Sequence, residues 1–233
     1  MIFRNLAIYL TILISIVAVT FGFGQQKVNT SHIQLTVPYF QKNEGNDSTL
    51  LLVKNGILKP ISQSDAVLEL RFYAEDVNMI RTIVIKCTKD SVHANRYVTI
   101  FYTRGHRPTN DTSHYKELAI TNNKFAGMYK KQSLHLPDGI SWQTFIRQIV
   151  VDNHIFELPD QSDLDNNKLL EFAKESNRFF RRTQYDLYVD GNYRSFEQRK
   201  ALGYMNHQDV PAISYYKNIQ ALLNRLSTHQ IKK

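Results

Sequence analysis

Alternating apolar and polar residues mark the clearest strand of the chain, between residues 66 and 73. One face of this segment is apolar and the other can meet water, as the two sets Leu68, Leu70, Phe72 and Glu69, Arg71, Tyr73 show. Two further extended segments, rich in β-branched and aromatic residues, follow at 80–87 and 92–103 with a short polar connection between them. The pattern predicts three sequential strands that pair as an antiparallel meander.

A hairpin is predicted around the dipeptide Asp190-Gly191. Both residue types tolerate positive φ, which a type I′ turn needs at its two central positions. We therefore expect the flanking segments 179–189 and 193–198 to pair with each other. The register gives two aromatic cross-strand pairs, each contributing about 0.2–1 kcal/mol: Tyr188 with Tyr193, and Tyr185 with Phe196.

Two segments have the 3.6-residue periodicity of amphipathic helices. The first begins near Trp142, where Ser141 or Asp138 can accept the free amide hydrogens of the first turn. The second opens with Pro211, which suits a first helical turn, and runs to about Leu226. Their apolar stripes, which we expect to face the sheet, are Trp142, Phe145, Ile146, Ile149, Val150 and Ile213, Tyr216, Ile219, Ala221, Leu222, Leu223, Leu226.

The remaining segments carry weaker patterns. Residues 49–58 are either a short buried strand or a helical turn, and residues 168–175 are assigned to a helix. Residues 25–48 are predicted to be a loosely ordered lead-in with one edge strand at 33–37. The rest of the chain, 49–233, is expected to form a single α+β domain. Its fold would be an antiparallel β-sheet, built from a meander plus a hairpin in the C-terminal half, with two or three helices packed on it.

The first 24 residues have the organisation of a secretory signal peptide. Arg4 supplies a basic head, residues 6–21 form an uncharged apolar run, and Gly22 and Gly24 place small residues before Gln25. Retention of this run as an uncleaved membrane anchor is the alternative. We expect cleavage after Gly24, with no stable membrane span left, and export of the mature protein to the periplasm or the extracellular space.

Composition adds a basic character to this picture. The chain has 29 Lys and Arg residues against 21 Asp and Glu, a formal net charge of +8. A nucleic-acid footprint needs basic residues clustered on one face, whereas these are spread along the sequence, with the densest group at 178–182. We therefore expect no nucleic-acid partner and favour attraction to anionic polymers of the cell envelope. Cys87 is the only cysteine, which excludes an internal disulfide.

No metal or cofactor motif fits the chain. Residues 163–167 have the oxygen spacing of a calcium loop, but Lys168 replaces its glycine and Lys174 replaces its bidentate acid. His106 and His114 can approach each other across a loop, yet no acid accompanies them in a zinc-binding pattern. We predict no metal-binding residues and no cofactor.

No catalytic residues are predicted either. The chain lacks a G-x-S-x-G nucleophile motif, and Cys87 lies inside a predicted strand, where a lone thiol acts as a small apolar filler. Glu69, Asp76 and Glu157 are the available acids for glycoside cleavage, which needs two carboxylates about 5–10 Å apart. Their spacing does not single them out from ordinary charged positions on strands and turns. The sequence therefore predicts no catalytic, cofactor-binding or metal-binding residues.

Three short features form a set: the sequence Trp142-x-x-Phe145-Ile146, the sequence Phe156-Glu157-Leu158-Pro159-Asp160-Gln161, and a hairpin followed by a terminal helix between Tyr185 and Leu226. Together they resemble a loose group of uncharacterised exported proteins of Bacteroidetes-type bacteria. The resemblance covers about residues 66–226 and departs at 177–180, where a more acidic, glycine-bearing lead-in is expected. It implies an exported scaffold and brings no particular activity with it.

These features favour an exported, non-enzymatic binding or interaction protein. Thirteen tyrosines, several of them on predicted strands, supply flat amphipathic surface suited to sugars or proteins. The expected partner is a protein or a cell-envelope polysaccharide. The alternative is an envelope hydrolase that uses paired carboxylates, and a concave pocket holding two close acids would distinguish it.

Overall fold

The computed structural model describes residues 25–38, 40, 50–76, 78–108, 112–119, 125–160, 182–199 and 211–228. The strands in these ranges are β1 (Gln25–Asn29), β2 (Gln34–Pro38), β3 (Leu68–Asp76), β4 (Met79–Cys87), β5 (Val92–Thr103), β6 (Lys116–Glu117), β7 (Phe125–Leu134), β8 (Arg182–Val189) and β9 (Asn192–Arg199). The α-helices are α1 (Leu50–Lys54), α2 (Trp142–Arg147) and α3 (Pro211–Asn224). No helix in these ranges is long and apolar enough to cross a membrane.

Seven strands form one antiparallel sheet in the order β6-β7-β5-β4-β3-β8-β9. This confirms the predicted antiparallel sheet with helices. The described residues contain more strand than helix. The predicted meander is β3-β4-β5, and β7, which the sequence pattern did not predict, extends it on the β5 side. A separate two-stranded antiparallel sheet pairs β1 with β2.

The β8–β9 hairpin forms with the predicted register. Asp190 and Gly191 have φ values of 42° and 92°, so both central turn positions are left-handed as the turn requires. Tyr188 lies opposite Tyr193. Tyr185 lies opposite Phe196, and their rings stack with centroids 4.9 Å apart.

The sheet has a core face and a polar face. Leu68, Leu70 and Phe72 lie on the core face, where residues of β1, β2, α2 and α3 join them in one buried apolar cluster. On the polar face, Val84 and Tyr97 pack in a smaller cluster with Leu52 of α1. Within the segment 49–58, residues 50–54 thus form a short helix that covers the polar face, one of the two structures that the sequence allowed.

The N-terminal segment differs from the predicted loosely ordered lead-in. Residues 25–38 form a hairpin, in which β2 matches the edge strand predicted at 33–37 and β1 was not predicted, and the buried side chains Val28, Leu35 and Val37 belong to the main core. Distant polar contacts fix the hairpin, because the side chain of Gln26 donates a hydrogen bond to the carbonyl of Val189 at 3.1 Å. A segment with few apolar residues is thereby ordered by its surroundings. Residues 41–49 lie outside the described ranges.

Helix α2 begins where the sequence predicted. The hydroxyl oxygen of Ser141 accepts the amide hydrogen of Thr144 at 3.1 Å, which satisfies one free donor of the first turn. The helix widens into a π turn at Gln148–Asp152, and a 3-10 turn follows at Ile155–Glu157. Between them, His154 adopts the left-handed conformation with φ 47°.

Helix α3 crosses the core face at a steep angle to the strands. Near its start, the ring of Tyr216 lies 5.7 Å from that of Tyr185 on β8. Just beyond its end, the carbonyl of Leu226 accepts a hydrogen bond from Arg96 on β5 at 3.5 Å. Three strand spacings, about 14 Å, separate β8 from β5, and ten helical residues rise about 15 Å. The helix therefore crosses these four strands and divides the core face into two areas. One area lies on the side of α2, and the other lies on the opposite side of α3.

Candidate functional site

The structure keeps the three candidate acids for glycoside cleavage apart. Glu69 is 3% exposed, accepts a hydrogen bond from Ser64 and pairs with Arg71 at 2.7 Å. Asp76 lies seven residues further along β3, so it faces the opposite side of the sheet at a distance of about 23 Å. Glu157 is in the 3-10 turn, 3.5 Å from the ring of His154. The described part of the chain therefore contains no close pair among these carboxylates.

The positions considered for metals give no site either. The calcium-like segment 163–167, with Lys168 and Lys174, lies outside the described residues. His106 follows the end of β5, and His114 precedes β6. Within the described ranges, no group of three or more His, Cys, Asp or Glu side chains is placed to hold a metal ion.

Cys87 ends β4 on the core face and is fully buried. Desolvation, with a smaller contribution from the negative charge of Glu69, raises the pKa of its thiol to about 12. The thiolate is the reactive form of cysteine, so the population that can react at neutral pH is very small.

We therefore expect native Cys87 to react with a maleimide only at the rate of unfolding. The measurement is the labelling rate followed by mass spectrometry, first in buffer and then in denaturant, where labelling should be fast. Cys87→Ser should leave ligand binding intact and lower stability modestly. Stoichiometric labelling of the folded protein within seconds would contradict the buried assignment.

A buried ionic cluster lies at the centre of the polar face. Arg71 is 1% exposed, bonds to Glu69, and donates a second hydrogen bond to the backbone carbonyl of Lys59 at 2.8 Å. Asp186, fully buried, lies opposite Arg71 in the β3–β8 register. Because Ser64 also bonds to Glu69, these contacts fasten residues 59–64 over the sheet. The cluster is sealed from solvent, so its role is to hold this covering segment in place.

A second set of charges is accessible to solvent, in the area of the core face beyond α3. Arg81, Val98 and Lys130 are consecutive partners across β4, β5 and β7. Arg96 precedes Val98 by two residues on β5, so it is the diagonal neighbour of both cations. We call Arg81, Arg96 and Lys130 the basic patch. Arg81 is exposed, and the other two are half-buried.

The basic patch concentrates three positive charges, and the nearest carboxylates on the same face, Asp76 and Glu117, are each diagonal to one of its cations. Burial lowers the pKa of the Arg96 guanidinium from its ordinary value, and the like charge of Arg81 lowers it further. The guanidinium of Arg96 donates a hydrogen bond to the carbonyl of Leu226, at the C-terminal end of α3, where the helix dipole favours a cation. Among the ion pairs of the described residues, none joins a cation of the patch to a carboxylate.

Aromatic and apolar side chains border the basic patch. The ammonium group of Lys130 lies over the ring of Tyr115, 4.9 Å from its centroid, and this contact orients the flexible side chain. Ile100 and Tyr102, both half-buried, continue the same face along β5. A surface that combines three cations with a tyrosine and half-buried apolar groups is suited to binding an organic anion.

Sequence reasoning missed the basic patch, because its residues come from three strands and one of these strands was not predicted. A partial signal was present. The four-residue connection at 88–91 fixes the pairing of the adjacent strands, and this register already makes Arg81 and Arg96 diagonal neighbours on one face. Lys130 had no comparable signal, since β7 carries the adjacent Lys130 and Lys131 on opposite faces and shows little alternation. Of the Arg-rich group at 178–182, the structure describes the backbone of Arg182 alone.

Comparison with protein-family models, with curated proteins and with solved structures finds no match for this chain. The candidate site is therefore assigned from its geometry and charge.

Proposed function

We propose that this chain is an exported, non-enzymatic binding protein that recognises an acidic polysaccharide through the basic patch. The observation that carries the proposal is the convergence of Arg81, Arg96 and Lys130 on one accessible area of the sheet. Arginine and lysine side chains are the usual protein partners of carboxylate, sulfate and phosphate groups, because they form charge-assisted hydrogen bonds with them. Tyrosine beside such cations offers a flat ring against which a sugar can pack.

The arrangement favours binding over catalysis. Two of the cations have their positions set by the protein, Arg96 by the Leu226 carbonyl and Lys130 by the Tyr115 ring. Preorganised side chains lose less conformational entropy when a ligand binds. The buried ion pair of Glu69 and Arg71 lies on the opposite face and cannot reach the same ligand.

The proposed export rests on the leader-like sequence of residues 1–24. Strand β1 begins at Gln25, directly after the proposed cleavage position, so removal of the leader would leave the strand complete. An exported binding protein would meet acidic polysaccharides in the envelope or outside the cell. The formal net charge of +8, less the one charge of Arg4 in the leader, stays strongly positive and favours their approach.

The test is a matched pair of substitutions on one strand, with polygalacturonate as the acidic polymer and dextran as the neutral one. Lys130 lies on the core face, whereas Lys131 lies on the polar face, 5.9 Å from the ring of Tyr97. Lys130→Gln should weaken binding of polygalacturonate about tenfold or more, because a hydrogen bond to a charged group contributes roughly 1.5–3 kcal/mol. Arg81→Gln should act similarly. Lys131→Gln removes the same charge from the other face and should change binding by less than about twofold.

Affinity is measured by titration calorimetry at several salt concentrations, with circular dichroism melts to check that each variant folds. Binding should weaken as salt increases, since exposed charges are screened. Equal losses for Lys130→Gln and Lys131→Gln would show nonspecific attraction by net charge and would reject the basic patch. Equal binding of dextran would reject acidic recognition.

A further inference from the structure

We infer that the ligand is a linear acidic polysaccharide that lies across the strands, parallel to α3, and carries its acidic groups on every second sugar. This inference rests on the proposed function and adds the direction of the chain and the spacing of its charges. It follows from the placement of the basic patch on the sheet and from the side of α3 that faces it.

The direction comes from the row of residues that contains two of the cations. Across the sheet, Thr183, Ala74, Arg81, Val98 and Lys130 are consecutive partners on β8, β3, β4, β5 and β7. The neighbouring row contains Tyr185 and Arg96, and α3 runs over this row from Tyr185 to Arg96. The basic row therefore runs beside α3 and in the same direction. Strand residues two positions apart are separated by about 7 Å, so the helix stands directly next to this row.

Helix α3 forms a wall along the row. On the side of the helix turned toward α2, Tyr215 contacts the ring of His154 at 5.0 Å. With about 100° between successive residues, Lys217, Gln220 and Asn224 share the opposite side of the helix. The helix therefore places Lys217 and Asn224 on the side of the basic row, and the Asn224 amide can bond to sugar hydroxyl groups. The amide of Gln220 donates a hydrogen bond to the hydroxyl of Tyr185 at 3.4 Å and so fixes the helix to the sheet. The sheet and the helix thus form two sides of a groove along the row.

The spacing comes from the floor of this groove. Arg81 and Lys130 are separated by two strand spacings, about 10 Å, and the side chain between them is the apolar Val98. A distance of this size is comparable to one disaccharide of an extended chain, in which acidic groups on alternate sugars repeat. Val98 itself, at the midpoint, is apolar and 8% exposed, so it offers no charge and no hydrogen bond to a ligand. A polymer with an acid on every sugar would place one carboxylate between the two cations and facing neither of them directly, whereas an uncharged sugar has no such mismatch.

The experiment compares oligosaccharides of equal charge and different spacing. Hyaluronan fragments carry one uronic acid for each neutral amino sugar, whereas oligogalacturonides carry an acid on every sugar. At equal numbers of carboxylates, the hyaluronan fragment with two acids should bind at least fivefold more tightly than digalacturonate. Free glucuronate should bind at least 100-fold more weakly than either polymer, because a single acid engages one end of the row.

The wall is tested by a second matched pair on α3. Asn224 and Asn218 are both exposed, but Asn218 lies on the outer side of the helix. Asn224→Asp should weaken binding of hyaluronan at least fivefold by repulsion, whereas Asn218→Asp should change it by less than twofold. Melting curves monitor the fold of both variants. Equal affinity for the two fragment types, or equal effects of the two aspartates, would overturn this inference while leaving the proposed function in place. Failure of both polymers to bind would overturn the proposed function itself.

Discussion

Phe145→Ala should lower the free energy of unfolding by about 3–5 kcal/mol, as expected for a fully buried aromatic ring. Phe145 is 1% exposed, and its ring packs edge-on against Trp142 with centroids 5.8 Å apart. It belongs to the cluster that joins α2 to the sheet and to the β1–β2 hairpin. Removal of the ring leaves a cavity at this three-way junction, which the surrounding backbone cannot close.

Urea denaturation of the wild-type and variant proteins measures this loss. Arg147, two residues further along the same helix, is exposed, so Arg147→Ala is the matched control and should change stability by no more than about 0.5 kcal/mol. A loss below about 1 kcal/mol for Phe145→Ala would mean that α2 is not part of the cooperative core.

Arg71→Met should be as damaging, for an electrostatic reason. The substitution leaves Glu69 buried without its cation, and Asp186 faces the same position from β8. Removal of one partner of a buried ion pair typically costs about 3–5 kcal/mol, because the remaining charge has neither water nor a counter-ion. It also frees the Lys59 carbonyl that fastens the covering segment.

Two other variants separate charge from packing in this cluster. Glu69→Gln should be milder than Arg71→Met, since Arg71 keeps Asp186 opposite it in the register. Lys86→Met removes a half-buried cation from the polar face, where it pairs with Asp65, and should cost no more than about 1 kcal/mol. Denaturant melts of the three variants give the ranking. Equal losses for Arg71→Met and Lys86→Met would show that the buried pair has no special electrostatic role.

The sheet could be predicted from sequence wherever a strand has one deeply buried apolar face. Alternation in β3 reports this burial directly, and Asp190-Gly191 specifies the β8–β9 turn and hence its register. Strand β1 gave no such signal, unlike β2, because β1 contributes only Val28 to the core and contacts from distant residues order the rest. Local pattern thus predicts an element only to the extent that local residues stabilise it.

The candidate site was less predictable than the sheet for a related reason. Arg81, Arg96 and Lys130 lie on separate strands, and an isolated charge on a strand is indistinguishable from an ordinary exposed residue. Their meaning depends on the register that brings them together and on the helix that borders them, which are tertiary features. That the chain has no catalytic or metal-binding residues stays a prediction, and the basic patch is a proposed binding surface in addition to it.

The core joins the two ends of the described chain, and this has a consequence for folding. The side chain of Gln26 contacts the carbonyl of Val189, 163 residues away, and Arg96 contacts Leu226, 130 residues away. Such closures form slowly, because loop entropy is lost before the contacts are gained. During synthesis, the apolar face of β3, β4 and β5 must remain uncovered until α3 has been made. For that interval the uncovered apolar face makes the growing chain prone to aggregation.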